Sequence, residues 1–101
     1  MPMEITGRVK LHEFWEKHPD AESPLSRWFK IAEEADWEKF ADVRAVFRSA
    51  DIVDKFIVFN IGGNKYRLII DIDYSKQEIE IRHVLTHPEY ERGRWKARPA
   101  K

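Results

Sequence analysis

Along this chain the spacing of apolar residues changes near residue 50, from intervals of three and four to strict alternation. Leu11, Phe14, Trp15 and His18 fall at i, i+3, i+4 and i+7, which predicts a helix from Val9. It should end at His18, because the residue before a proline is pushed out of the α region and Pro19 follows. Leu25, Trp28, Phe29 and Ala32 repeat the stripe and predict a second helix, with Asp20 or Ser23 as its cap and Pro24 in its first turn. The two make a helical hairpin. Glu4-Ile5-Thr6 reads as a short edge strand broken by Gly7. Val43, Val46 and Phe47 support one or two further helical turns, and Ser49-Ala50-Asp51 is the connector that follows. Trp15, Trp28 and Phe29 could serve as stacking platforms, but aromatic residues at helical spacing beside leucine are read as core.

Residues 56–72 are two apolar runs around Gly62-Gly63-Asn64, whose residues tolerate the positive φ of a hairpin turn, and a third run follows from Glu80 to His87. This is a β-meander, so the expected class is α+β: an antiparallel sheet with the helical hairpin on one face. Alternation puts Tyr66, Leu68, Ile70, Ile72 and Tyr74 on the core face and Lys65, Arg67, Ile69, Asp71 and Asp73 on the other. Arg67 is then an exposed cation in the middle of an open face. Two registers keep the apolar faces of the last hairpin together. Charge favours the one with a loop over residues 75–78, which pairs Asp71 with Arg82 and sets Arg67 opposite Thr86; the shorter loop opposes carboxylates twice.

At 101 residues the chain is expected to be one domain with a single site. It has no cysteine, which excludes disulfides and thiolate metal sites and is compatible with a reducing cytoplasm. No apolar run approaches the roughly 20 residues of a membrane helix, so a soluble protein is expected. Net charge is zero but divided. Through Asp54 there are 8 Lys and Arg against 12 Asp and Glu, and from Lys55 on 10 against 6, so −4 faces +4. The last ten residues hold Arg92, Arg94, Lys96, Arg98 and Lys101 and no acid, a pattern that fits a phosphate footprint and a solvated tail alike.

No metal-ligand spacing, serine elbow or nucleotide-binding glycine pattern is present, so neither metal nor cofactor is expected. Lys65, Arg67, Arg82, His87 and Tyr90 remain. RNA cleavage without a metal needs a proton acceptor for the 2′-hydroxyl, cations for the charge on phosphorus and a donor for the 5′-oxygen, and these residue types suffice. His83 has Ile79, Ile81 and Leu85 as alternation partners, which predicts a buried, hydrogen-bonded histidine.

Phe59-Asn60-Ile61-Gly62-Gly63-Asn64-Lys65-Tyr66-Arg67-Leu68-Ile69, Ile81-Arg82-His83-Val84-Leu85-Thr86-His87-Pro88-Glu89-Tyr90 and Phe14-Trp15-Glu16-Lys17-His18-Pro19-Asp20-Ala21 together resemble the HigB family of type II toxins over roughly residues 5–90. The resemblance implies a RelE-like fold and an endoribonuclease that cuts mRNA, typically on the ribosome. It also implies a HigA-like helix-turn-helix antitoxin, through which operator DNA is met indirectly, and a bacterial cytoplasmic setting. It assigns the reaction to Arg67 in Lys65-Tyr66-Arg67-Leu68, to His87 by position and to Tyr90 approximately. Lys65 and Arg82 then assist at the phosphate, and Arg92, Arg94 and Lys96 in a basic tail over 91–101 contact RNA. A non-catalytic module that binds the ribosome or a protein through the same basic face is the alternative.

Overall fold

A computed structural model describes residues 3–96 and gives an α+β fold. Strand β1 (Glu4–Thr6) leads into helix α1 (Val9–Lys17), a 3-10 turn (Pro19–Ala21), α2 (Glu22–Glu34) and α3 (Phe40–Val46). Strands β2 (Asp51–Val53), β3 (Phe56–Ile61), β4 (Tyr66–Asp73) and β5 (Glu78–Thr86) follow, then α4 (His87–Arg92) and a 3-10 turn (Arg94–Lys96). The sheet order is β1-β5-β4-β3-β2. Because β1 runs parallel to β5 while the remaining pairs are antiparallel, the sheet is mixed and not antiparallel throughout. Strand β2 was not foreseen: its three residues, flanked by polar ones, are too few to show alternation, and it exists only by pairing with β3.

The helical stripes meet the sheet as their spacing predicts. Leu11, Leu25, Trp28, Ala32 and Val43 are buried against Ile57, Phe59, Leu68, Ile70, Ile79 and Ile81. Helix α1 stops at His18, with φ −132° ahead of Pro19. Neither Asp20 nor Ser23 caps α2. The 3-10 turn already delivers helical geometry at Ala21 (φ −85°, ψ −15°), and Asp20 accepts instead from Tyr66 Oη at 2.6 Å and from Lys65 Nζ. Gly7 closes β1 at φ +86°, where a Cβ would sit 2.7 Å from the carbonyl oxygen of Ile81. Strand β1 therefore leaves β5 after Glu80, and α1 packs beside the rest of β5.

The last hairpin takes the register that charge disfavours: Asp73 faces Glu78 and Asp71 faces Glu80. The cost is offset locally. Asp73 accepts from Ser75 Oγ (2.8 Å) and Lys76 N (3.1 Å), and Arg82 lies 3.3 Å from Glu80. Gln77, at φ +57°, donates to the carbonyl oxygens of Trp37 (2.7 Å) and Tyr74 (3.1 Å). Exposed carboxylates screened by water lose less than these turn bonds provide. A β-bulge between Ile69 and Ile70 then moves the register by one, leaving Arg82 as the extra residue of β5. Beyond it Ile69 faces His83 and Arg67 faces Leu85, not Thr86.

Nor is the far face of the sheet open throughout. Helix α4 and the turn after it fold back over β4, burying Trp95 with Val58 and Ile69 as a second small core, edged by Phe56, Leu85 and Tyr90. What the sequence presents as a basic tail is structured through Lys96; Arg98 and Lys101 lie outside the described residues.

Candidate active site

Strand β4 places Arg67 on the face away from the helices, as alternation requires, but only 7% of it is exposed. The turn before it explains this. Gly62 and Gly63 adopt positive φ, and the turn they start brings Asn64 back over the strand, where Arg67 Nη1 donates to the carbonyl oxygens of Asn64 (3.2 Å) and Tyr66 (3.1 Å) and Nη2 to Asn64 Oδ1 (2.8 Å). Above it lies Tyr90, with the guanidinium carbon 5.3 Å from the ring centroid, and Tyr90 in turn stacks on Trp95 at 5.2 Å and 14°. The expected exposed cation is a buried one, boxed by Asn64 below and two aromatic rings above.

Helix α4 is held in place by its own start. Thr86 Oγ1 accepts from Glu89 N (3.3 Å) and the Glu89 carboxylate accepts from Thr86 N (2.9 Å), a reciprocal capping box. Gly93 ends the helix at φ +74°, and Trp95 Nε1 donates to the carbonyl of Tyr90 at 3.0 Å. Helical periodicity then sorts the side chains: Tyr90 turns to the sheet, while His87 and Glu91, 3.6 Å apart, share a flank opposite the one that carries Glu89 and Arg92.

Between that second flank and β5 runs a groove of about 340 Å³, lined by His83, Leu85, Glu89, Arg92, Arg94 and Trp95. The bulge at Arg82 is what turns His83 into it. Expected among core isoleucines, His83 is half-buried on the far face, and its pKa is lowered by that burial and by the charges of Arg82 and Lys10. Arg82 lies over the Phe56 ring at 5.6 Å, on the same face. Two arginines in a concave, partly apolar groove, with a third beside it, suit a polyanion carrying flat bases.

Residues 21–93 match the family model for HigB toxin, the RelE-like toxic component of a toxin-antitoxin system. The chain is 32% identical over 92 residues to the mRNA interferase toxin HigB of Escherichia coli K12, covering 88% of each chain, and equally to the mRNA interferase HigB of Shigella flexneri. With the mRNA interferase HigB of E. coli O6:H1 it shares 25% over 93 residues, 89% of this chain and 90% of that one. The chain belongs to the HigB toxin family. It is thus the toxic half of a toxin-antitoxin pairing, built on a RelE-like α+β fold.

Among the residues expected to act, this HigB-family structure brings Arg67 and Tyr90 into contact and sets Arg82, Arg92 and Arg94 around one face. Lys65 is drawn away. Its ammonium pairs with Asp20 at the helical end, which raises the Lys65 pKa and lowers that of Asp20 through their hydrogen bond, while its carbonyl accepts from His87 N at 3.0 Å. His87 itself stands on the other flank of α4, and Lys96 lies against Trp95 at 5.6 Å. Sequence reasoning passed over Asn64 as a plain turn residue and set His83 aside. Nothing in the local alternation signals the bulge that exposes His83. Among the described residues no group of three or more His, Cys, Asp or Glu could hold a metal ion, and no helix is long and apolar enough to cross a membrane.

Proposed function

We propose that this chain is an mRNA interferase, an endoribonuclease toxin that cuts mRNA on the ribosome by attack of a 2′-hydroxyl on the adjacent phosphate, without a metal in the chemical step. The basic groove between β5 and α4 carries the reading: it offers cations and a partly apolar wall on the face that the helical layer leaves free. Its relatives' names agree. Arg82, Arg92 and Arg94 meet the phosphates, with Lys96 extending that contact along the strand. Arg67 acts from beneath Tyr90, fixing that ring and supplying positive charge at the reacting phosphate. His87 and Tyr90 are available to carry protons, and Lys65 steadies the hairpin through Asp20.

The partner is a HigA-like helix-turn-helix antitoxin that silences the toxin and takes the complex to operator DNA, and the whole chain works as one toxin domain in the bacterial cytoplasm. Expression without antitoxin should arrest growth and create new internal 5′ ends in mRNA. The upstream fragment should carry a 2′,3′-cyclic phosphate and the downstream one a 5′-hydroxyl; a 5′-phosphate downstream would rule this route out. Normal growth with intact mRNA, despite ample folded protein, would instead favour a non-catalytic module that binds the ribosome through the basic face.

A further inference from the structure

We propose that His83 is the general base of the cleavage reaction, the group that takes the 2′-hydroxyl proton. This rests on the interferase reading above and assigns a role to a residue that the chain's own alternation hides in the core.

The inventory of the groove makes the assignment. Arginine has no lone pair to accept a proton, Trp95 Nε1 is a donor engaged with the Tyr90 carbonyl, and Leu85 has no polar atom. Glu89 is the one carboxylate among the described residues that line it, and one of its two oxygens, Oε1, is held by the Thr86 amide in the capping box. His83 is the acceptor that no such bond holds. Neither of its ring nitrogens has a hydrogen-bond partner among the described residues, so a lone pair is free for an incoming hydroxyl. The bulge supplies the placement: without the extra residue at Arg82, His83 would face the helices.

The surroundings keep the imidazole in the form that can act. Lys10 and Lys17 of α1, set against Glu13 and beside His18, border the adjoining groove that His83 and Arg82 also line. From α4 and the turn after it come Arg92 and Arg94, with Glu89 the only acid among the described residues that line this groove; Glu91 lies on the opposite flank of α4. Partial burial, and after it the charges of Arg82 and Lys10, disfavour imidazolium and hold the His83 pKa below its ordinary value, so the neutral base predominates at neutral pH. In the reaction the ring nitrogen takes the 2′-hydroxyl proton while the 2′-oxygen forms its bond to phosphorus. The bond from phosphorus to the 5′-oxygen breaks, and that oxygen takes a proton from solvent water. The imidazolium returns its proton to the hydroxide so formed.

The test measures single-turnover cleavage of ribosome-bound mRNA between about pH 5 and 8 for wild type, His83→Gln and His83→Ala. Binding of an mRNA carrying 2′-deoxyribose at the cut site, and thermal melting, are followed alongside. Wild type should lose rate as pH falls through the His83 pKa. His83→Gln should be at least about a hundredfold slower with that acid limb gone, and binding within about threefold. Added imidazole should restore part of the His83→Ala rate, which a purely structural residue would not allow. The assignment is overturned if His83→Gln keeps both the rate and the acid limb. It is also overturned if both variants bind weakly and imidazole restores nothing. Should wild type leave mRNA intact at every pH, the interferase reading itself falls and takes this one with it.

Discussion

Arg67 is both a candidate for the chemistry and a structural cross-link, and the two roles can be separated by measurement. Truncation to alanine removes three hydrogen bonds and the cation under Tyr90, leaving the Asn64 side-chain oxygen without its donor. We expect a loss of about 1–3 kcal/mol, far more than an exposed site would give, and hence a fall in Tm of roughly 4–8 °C per kcal/mol. Arg67→Lys should keep part of the activity and recover little of this stability, because an ammonium cannot reproduce the fork. An unchanged Tm for Arg67→Ala would mean that the guanidinium is not held as described. Alternation named the side of the sheet on which Arg67 lies. It could not name the cover, since Asn64 folds back from the turn before β4 and Tyr90 arrives from beyond β5. Asp20 is a similar case: a residue suited to capping accepts across the fold from Lys65 and Tyr66, which lowers its pKa, the Lys65 bond most. A depressed carboxyl stabilises the fold above its unfolded pKa and loses that contribution as pH falls through the folded one. Asp20→Asn should therefore be less stable than wild type at neutral pH, with the gap in thermal melts closing under acid, below about pH 4.

At the level of elements, periodicity recovered α1, α2, β3 and β4 with their facings, because each buries a stripe of its own, but the facing of β5 fails past the bulge. What it missed depends on partners. Strand β2 exists through β3, and the bulge in β5 follows the point where Gly7 ends the pairing with β1. The largest difference is the α4 segment, where Trp95 reads as part of a basic tail yet is buried by Val58 and Ile69. Because this second core is small and packs against one sheet face, Trp95→Ala should release residues 87–96 without unfolding the rest. Hydrogen exchange should quicken there and at Arg67, while amides of β3 and of the inner half of β4 keep their protection. Uniform loss of protection would show that the two cores unfold together. Thr86→Val removes the Oγ1 acceptor at nearly constant shape and should cost about 0.5–2 kcal/mol, felt first in the same segment.

Taken as a whole the molecule is neutral, so any attraction to RNA must come from how its charge is arranged. The sheet face away from the helices is itself divided. Asp71, Asp73, Glu78 and Glu80 crowd the hairpin end, while Arg82, Arg92 and Arg94 gather where β5 meets α4. On the proposed reading, an RNA strand crossing this face would be repelled at one end and held at the other, which would direct it into the groove beside His83. The sequence held half of this, in the excess of cations after Lys55, but not the separation, which depends on the hairpin register and on α4 folding back. If phosphate contact at the groove and its exit drives association, affinity for single-stranded RNA must fall with salt, the logarithmic slope being roughly 0.7 per phosphate neutralised. Replacing Arg92, Arg94 and Lys96 together by glutamine should lower that slope by roughly 2. Their exposure means the fold should tolerate the change, since substitutions at such sites move stability by about 0.5 kcal/mol or less. Binding measured from low to physiological salt decides the matter. A slope as steep as wild type in a folded triple variant would place the RNA path elsewhere on the molecule, whereas a shallower slope with cleavage chemistry retained at low salt would separate the residues that hold the strand from those that cut it.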